Sequence, residues 1–290
     1  MWIFLALLSA LLAACRRTNE KRLTGQLHHY TIAFILQLMS LPVISLALAL
    51  FGQVLNPFSL GIRFWAPLLI TSVGFYPLNA FLYLQAIKYD ELSTVLPIQS
   101  LWPVFSLIPA WLALGEIPSL TAFLGIIITV CGVYALGLKG RALHHPLAPF
   151  RDNVGSRYML FAVMLVTIAG VLDKIAIQAS GAVYYSFAST IGAVVVLFCI
   201  LWLRGINELS SIMPRIKEVG MIGSLQGASY TTYLMAIGAG PIAYVAAIRS
   251  SNVLMGSLLG IIKLGEQFTA AKKLSYALIT FGGILLAVGS

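Results

Sequence analysis

Ten polar and aromatic residues, spread over four apolar stretches, have the types and the spacing of a binding site for a small polar molecule. The set comprises Tyr76, Asn79 and Tyr83, then Gln99 and Trp102, then Gln226, Tyr230 and Tyr233, and finally Arg249 and Asn252. Within each stretch, neighbours are three or four residues apart, which places them on one face of a helix. Such side chains often form hydrogen bonds between membrane helices, at about 0.6 kcal/mol each on average. We favour a shared cavity, because the last two stretches repeat the positions of the first two at a constant offset of 150 residues.

Arg249 is the basic residue of the set and lies in the middle of an apolar segment. A charge near the centre of a bilayer costs roughly 2.5 to 3.5 kcal/mol on insertion scales, so it must face protein or water. One interpretation is a structural pair with a carboxylate or with carbonyls at a helix end. The other is contact with a carboxylate or phosphate of a substrate. No acid lies at a matching depth in the predicted segments, which favours an anionic or zwitterionic substrate such as an amino acid or an organic acid.

Four charged residues near predicted helix ends are candidates for gating or structural roles: Glu116, Glu266, Asp173 and Lys174. Glu116 and Glu266 could form a gate or a proton site. We prefer a structural interpretation, in which each carboxylate lies at the start of the following helix, where the dipole and the unpaired amides favour a negative charge. Asp173 and Lys174 could form a gating pair. Adjacent residues point in different directions, so an anchor at the membrane interface is an equal alternative.

These residues must be positioned by membrane-spanning helices. The chain has 290 residues, of which 60% are apolar and only 9% are charged, against about 25% charged in soluble proteins. A transmembrane helix needs about 20 apolar residues, and charged or turn-rich breaks divide the chain into ten such segments. The predicted spans are 1–19, 29–51, 64–87, 92–114, 119–138, 157–178, 181–203, 218–237, 241–263 and 270–289. The predicted fold class is an all-α membrane protein with ten transmembrane helices.

The chain also contains an internal repeat. Residues 83–139 align with residues 233–289 without a gap, and the triplet that ends in Glu116 recurs as the triplet that ends in Glu266. Weak internal symmetry of this kind is how many transporter folds are built. A repeat of five helices crosses the membrane an odd number of times, so the second copy must be inverted. The sequence predicts a 5+5 repeat, with halves at 1–138 and 157–290 joined by a cytoplasmic linker at 139–156.

The distribution of basic residues predicts the orientation in the membrane. Of the 18 Lys and Arg residues, all but Arg63, Lys174 and Arg249 fall at connections on the face opposite both termini. Lys and Arg are retained on the cytoplasmic side, so both termini are predicted to be external. This asymmetry and anionic lipid headgroups account for the net charge of +9 without any nucleic acid partner.

The sequence shows no sign of a cofactor, a metal site or a catalytic site. Cys15, Cys131 and Cys199 lie in apolar segments without the spacing of metal ligands. No HExxH, GxSxG or glycine-rich phosphate loop is present. We therefore expect no catalytic residues and no enzyme activity.

Ten helices, a doubled Leu-Gly-Glu near the ends of the fourth and ninth, and a glycine about sixteen residues after each (Gly132 and Gly282) resemble the EamA-type branch of the drug/metabolite transporter superfamily. The resemblance implies a secondary transporter with a central cavity between two five-helix halves, which moves small organic metabolites, often outward. We expect an exporter or exchanger that works by alternating access in the bacterial cytoplasmic (inner) membrane. A membrane-embedded binding or lipid-handling protein, such as a flippase of an amphipathic anion, is the alternative. We expect a monomer, and a dimer remains open.

Overall fold

The computed structural model describes the whole chain except a set of short segments and single positions. These are residues 21–27, 53–55, 90–97, 100, 138–153, 207, 209–211, 253–254, 256–269 and 290. The predicted linker at 139–156 therefore falls almost entirely outside the described residues.

Ten helices of the predicted bundle are present in the described part of the chain. They are α1 (Trp2–Glu20), α2 (His29–Phe51), α3 (Ile62–Leu69, Ile70–Phe75 and Tyr76–Tyr89 in succession), α4 (Trp102–Leu114), α5 (Leu120–Gly137), α6 (Val154–Ser180), α7 (Ala182–Leu203), α8 (Ile216–Ala239), α9 (Ile242–Ser250) and α10 (Ala270–Val288). The described residues contain no strand. The all-α membrane fold with ten helices is therefore confirmed.

Four described spans are long and apolar enough to cross a membrane by length and composition: Tyr30–Phe51, Ile62–Tyr83, Val154–Ser180 and Ala182–Leu203. Four shorter helices are also apolar: Trp2–Arg16, Trp102–Leu114, Leu120–Val133 and Leu274–Val288. The predicted start of α4 at residue 92 and the predicted end of α9 at residue 263 lie outside the described residues.

The chain divides into two compact units, and each unit combines helices from both sequence repeats. Unit 1 consists of Met1–Ala80 and Leu172–Ala239, and unit 2 of Phe81–Val171 and Gly240–Ser290. Unit 1 therefore holds α1, α2, most of α3, the end of α6, α7 and α8. Unit 2 holds the end of α3, α4, α5, most of α6, α9 and α10.

In unit 1, α8 packs against α1 and α2, and α7 packs against α2. Small residues allow these close approaches. A Cβ atom built on Gly227 of α8 would lie 2.8 Å from the carbonyl oxygen of Ser40 in α2. Ser9 and Ser229 form a reciprocal pair between α1 and α8, because each hydroxyl donates to the carbonyl of the other residue, at 2.8 and 2.9 Å. Ser229, which directly precedes Tyr230 in α8, is thus engaged in helix packing.

In unit 2, α5 and α10 pack closely through glycines. A Cβ built on Gly132 would lie 2.9 Å from the side chain of Ile279, and one built on Gly282 would collide with Thr129. The two contacts are reciprocal, since Gly282 and Ile279 lie 150 residues after Gly132 and Thr129. Gly289 packs against Ala122 at the other end of the two helices. Residue numbers therefore decrease along α10 in the direction in which they increase along α5. These repeat-related helices run antiparallel, which is what an inverted repeat requires.

Candidate functional site

In unit 2, the residues just before α4 and those at the end of α9 carry the same irregularity at equivalent positions of the repeat. The Leu101 N–H donates to the carbonyl of Ile98 at 3.1 Å, and the Ser251 N–H donates to the carbonyl of Ile248 at 3.1 Å. Each bond joins two residues that are three positions apart, and the second pair lies 150 residues after the first. A bond of this kind tightens the helix locally, and such stretches often mark hinges or strained functional segments. The repeat thus places a break just before α4, beside Gln99 and Trp102, and another at the end of α9, beside Arg249 and Asn252.

Local chemistry explains both breaks. Pro103 has no N–H to donate, so the first turn of α4 lacks a backbone hydrogen bond. In α9, the hydroxyl of Ser250 bonds back to the carbonyl of Ala246 at 2.9 Å, an arrangement that tends to bend helices. Two different side chains therefore produce a similar backbone at matching positions.

Arg249 lies over the ring of Trp102, with 5.9 Å between the guanidinium carbon and the ring centroid. This is within the range of a cation–π interaction. Trp102 is 9% exposed and Arg249 is partly buried. The sequence predicted that Trp102 and Arg249 belong to the same set of ten polar and aromatic residues. The structure brings these two side chains together within unit 2.

Asn252 and Ser251 follow Arg249 in the same turn of chain. The Asn252 side chain is 9% exposed, and its Oδ1 atom has no hydrogen-bond partner among the described residues. The same is true of the Ser251 hydroxyl. Because buried polar atoms are nearly always hydrogen-bonded, these two oxygens are candidates to accept a hydrogen bond from a ligand.

Sequence reasoning missed Gln85 of α3, whose Oε1 atom is buried without a partner in the described part of unit 2. A glutamine inside an apolar helix was the available signal. Tyr83, two residues earlier, and Gln99 are both partly buried in the same unit.

Unit 1 contains a buried network of hydroxyl groups around Asp173. Tyr185 in α7 donates to Asp173 Oδ1 at 2.5 Å, and its hydroxyl lies 2.9 Å from Thr71 Oγ1 in α3. Asp173 and Lys174 are each 8% exposed. Both side chains are therefore largely enclosed by protein, and their role as a gating pair or as an anchor at the membrane interface stays a prediction.

Further hydroxyl pairs connect α7 to α8 in unit 1. Ser189 pairs with Tyr230 at 3.2 Å, and Ser186 pairs with Thr231 at 3.2 Å. Tyr185, Ser186 and Ser189 were missed by the sequence analysis. The signal that could have found them is the density of hydroxyl residues between Tyr184 and Thr190, in an otherwise apolar helix.

The Thr71 end of this network lies in the π-helical turn Ile70–Phe75 of α3. Pro67 removes a donor just before this turn. Thr71 and Ser72 bond back through their hydroxyls to the carbonyls of Pro67 at 2.9 Å and Leu68 at 2.6 Å. Single π-helical turns occur frequently at functional sites.

The predicted stripe of α8, together with Tyr76 and Asn79 of α3, lies in unit 1. Tyr230 interacts electrostatically with Tyr76, Tyr233 and Asp173, so the structure brings these members together. Tyr76 also packs against the apolar cluster of α2 and α7. Asn79 and Gln226 are partly buried. The two units thus divide the ten predicted residues equally between them.

Glu116 follows the end of α4 and contacts the start of α9. Its Oε2 atom accepts from the backbone N–H of Ile242 at 2.9 Å. The carboxylate thus lies at the N-terminus of α9, whereas the sequence analysis had placed it at the start of α5, the helix that follows Glu116 in sequence; that placement stays a prediction. Glu266 lies outside the described residues. Among the described residues, no cluster of His, Cys, Asp and Glu could hold a metal ion.

Comparisons with known proteins agree with this architecture. The model of the EamA-like transporter family matches residues 1–138 and 153–288. A solved structure described only as the crystal structure of a protein superposes with a TM-score of 0.77, at 16% identity, over 99% of this chain and 97% of the other. That likeness concerns the fold alone. No curated protein matches the sequence. The family matches cover both halves of the repeat, and the chain therefore belongs to the EamA-like transporter family of multi-pass membrane proteins that transport small molecules.

Proposed function

We propose that this protein is a secondary transporter, an exporter or exchanger, of small organic metabolites that carry a carboxylate or phosphate, such as amino acids or organic acids. The observation that carries the proposal is the Arg249 guanidinium held over Trp102, beside the breaks in α4 and α9. Breaks in repeat-related helices are where many secondary transporters bind their substrates.

The chemistry of the Arg249 surroundings favours a substrate with a negative charge. A guanidinium group binds a carboxylate or phosphate through two parallel hydrogen bonds. The electron-rich face of Trp102 stabilises the cation without neutralising it. An incoming carboxylate or phosphate would add charge-assisted hydrogen bonds to this cation.

The unpartnered oxygens of Asn252 and Ser251 extend the proposal to zwitterions. An ammonium group has three donors and no acceptor, so it needs acceptors of this kind. An α-amino acid would place its carboxylate on Arg249 and its ammonium group toward these oxygens.

The proposed mechanism is alternating access, in which repeat-related helices rearrange about a fixed site. The proposed location is the bacterial cytoplasmic membrane, with both termini external. The three-residue bonds from Leu101 to Ile98 and from Ser251 to Ile248 support points at which the chain can change its course, just before α4 and at the end of α9.

A thermal-shift assay of purified protein against amino acids, organic acids, sugar phosphates, amines and neutral sugars tests the substrate class. A ligand at 100 times its Kd stabilises the folded state by about 2.7 kcal/mol, so a true substrate raises the melting temperature. We expect stabilisation by compounds with a carboxylate or phosphate. Stabilisation by amines alone, or only by particular lipid headgroups, would contradict the proposal, and the latter would favour a lipid-handling protein.

A further inference from the structure

Asp173 is enclosed within unit 1, on the part of α6 that belongs to this unit. Moving an ionised carboxylate out of water is expensive unless hydrogen bonds or an opposite charge compensate for the loss of hydration. The compensation recorded by the structure is the hydroxyl of Tyr185, itself fully buried, which donates to Oδ1 at 2.5 Å. The proposed substrate site around Arg249 lies in unit 2 and does not include this carboxyl group.

In the described part of the chain, the side chains recorded around Asp173 come from three neighbouring helices and carry hydroxyl groups. Tyr185 belongs to α7, Thr71 to α3, and Tyr230 of α8 lies within electrostatic range. On α6 itself, Lys174 is the next residue, and its side chain leaves the helix about 100° further round the axis. The facing hydroxyls can donate or accept, so they can serve both a carboxylate and a neutral acid.

The network Asp173–Tyr185–Thr71 can exist in two hydrogen-bond directions. With a carboxylate, Thr71 donates to Tyr185 and Tyr185 donates to Asp173. With a neutral acid, Asp173 can donate to Tyr185, Tyr185 to Thr71, and Thr71 to the carbonyl of Pro67, which lies 2.9 Å away. Thr71 has a single hydroxyl hydrogen, so it cannot donate to Tyr185 and Pro67 together.

The two hydrogen-bond directions differ in which hydrogen bonds the backbone of α3 accepts. The Pro67 carbonyl gains a donor in one state and loses it in the other. Pro67 lies three residues before the π-helical turn that begins at Ile70. Protonation of Asp173 is thus linked to the irregular part of a membrane helix, which is the segment of α3 best able to change its conformation.

We infer that Asp173 is a proton-binding site, at which the carboxylate takes a proton from water to become a neutral acid and returns it in another conformation of the transporter. Coupling of this proton to substrate movement rests on the proposed transport function. The proton site itself does not, since it requires only a carboxyl group that changes its protonation state in the folded protein.

Infrared difference spectroscopy of the purified protein in lipid nanodiscs, titrated with protons alone, tests the site. The carbonyl stretch of a neutral carboxylic acid is separate from the bands of a carboxylate, so it reports protonation directly. We expect one titrating carbonyl band to be lost in Asp173→Asn. Tyr185→Phe should keep the band but move it to higher wavenumber, because the neutral acid loses the hydrogen bond that it donates to the tyrosine hydroxyl. Tyr184→Phe, a change of the neighbouring tyrosine that packs on Phe64, should leave the band in place.

Three results would overturn the inference. The first is an unchanged set of titrating bands in Asp173→Asn. The second is a Tyr185→Phe spectrum identical to that of the wild type. The third is a band that responds to replacement of Na⁺ by choline at constant pH, which would assign a metal cation to the carboxylate. Tyr185→Phe retains the carboxyl group, so it also decides the matter if Asp173→Asn does not fold.

Proteoliposomes separate the failure of this inference from failure of the proposed function. With an amino acid or organic acid that the wild type exchanges, Asp173→Asn should keep exchange but lose its response to an imposed pH gradient. A normal response in this variant would refute coupling through Asp173. If the wild type exchanges no such compound, the proposed function fails, and the infrared titration alone decides the proton site.

Discussion

The carboxylate of Glu116 accepts a hydrogen bond of 2.9 Å from the backbone N–H of Ile242, the first residue of α9. The preceding residues position it. Gly115 ends α4 with φ at +69°, and the Glu116 N–H turns back to the carbonyl of Ala110 at 3.3 Å. The Gly115 N–H donates to the carbonyl of Trp111 at 3.0 Å, which is the bond of an αL C-cap, in which glycine takes the left-handed position. The Leu-Gly-Glu triplet therefore ends one helix and caps another.

Replacing Glu116 tests this capping role. Glu116→Ala removes both the acceptor and the negative charge at the N-terminus of α9, so we expect a loss of stability of about 1 kcal/mol. Glu116→Gln keeps an acceptor oxygen and should lose less. Denaturant unfolding in detergent measures the difference between the two. Equal stability of Glu116→Ala and the wild type would show that the bond contributes nothing.

Two adjacent glycines of α10 should respond in opposite ways to alanine. Gly282→Ala would drive a Cβ into Thr129 and to 2.7 Å from the carbonyl of Gly125, so it should destabilise unit 2. Overpacking of this kind typically costs about 1 to 3 kcal/mol. Gly283 has nothing within 4 Å of such a Cβ, and alanine is better than glycine in a helix by up to about 1 kcal/mol. Gly283→Ala should therefore be neutral or stabilising.

Melting temperatures of the two glycine variants, measured side by side, check this prediction. Each serves as the control for the other, because the substitution and the helix are the same. The packing of α5 against α10 would need revision if Gly282→Ala were as stable as Gly283→Ala.

Substitution of Arg249 tests the anion site. Arg249→Gln should abolish the stabilisation given by the carboxylate or phosphate ligand found in the thermal-shift assay, while the protein remains folded. Arg249→Lys should keep part of it, since a point charge replaces a fork of two donors. The matched control is Arg63→Gln, at an exposed position near the start of α3, which should bind like the wild type. Undiminished binding by Arg249→Gln would make Arg249 a structural residue.

Orientation in the membrane follows from the asymmetry of basic residues. A reporter fused after Ser290 should show an external C-terminus, and one inserted near His144 should show a cytoplasmic loop. The reason is the retention of Lys and Arg on the cytoplasmic side. Paired reporters that respond on opposite sides of the membrane check both statements. The reverse result at both positions would invert the predicted topology.

Much of the fold could be predicted because it depends on local properties of the chain. The length of each apolar segment predicted the ten helices, since a membrane-spanning helix must satisfy all its backbone groups internally. The offset of 150 residues predicted an inverted repeat, and the antiparallel packing of Gly132 against Ile279 and of Gly282 against Thr129 agrees with it. The residues of the predicted cavity stay a prediction, although Arg249 and Trp102 do meet in unit 2.

What the sequence determined by itself was which segments cross the membrane, that they repeat, and which polar residues share a helix face. The tertiary structure decided the partners of those residues. Glu116 caps a helix that begins 126 residues later, and Asp173 meets Tyr185 and, through it, Thr71. The spacing of polar and apolar residues along a helix indicates which face turns away from lipid or water. It does not indicate which other helix covers that face. Only the packing of distant helices, set by small residues such as Gly227 and Gly282, brings a particular donor within reach of a particular acceptor.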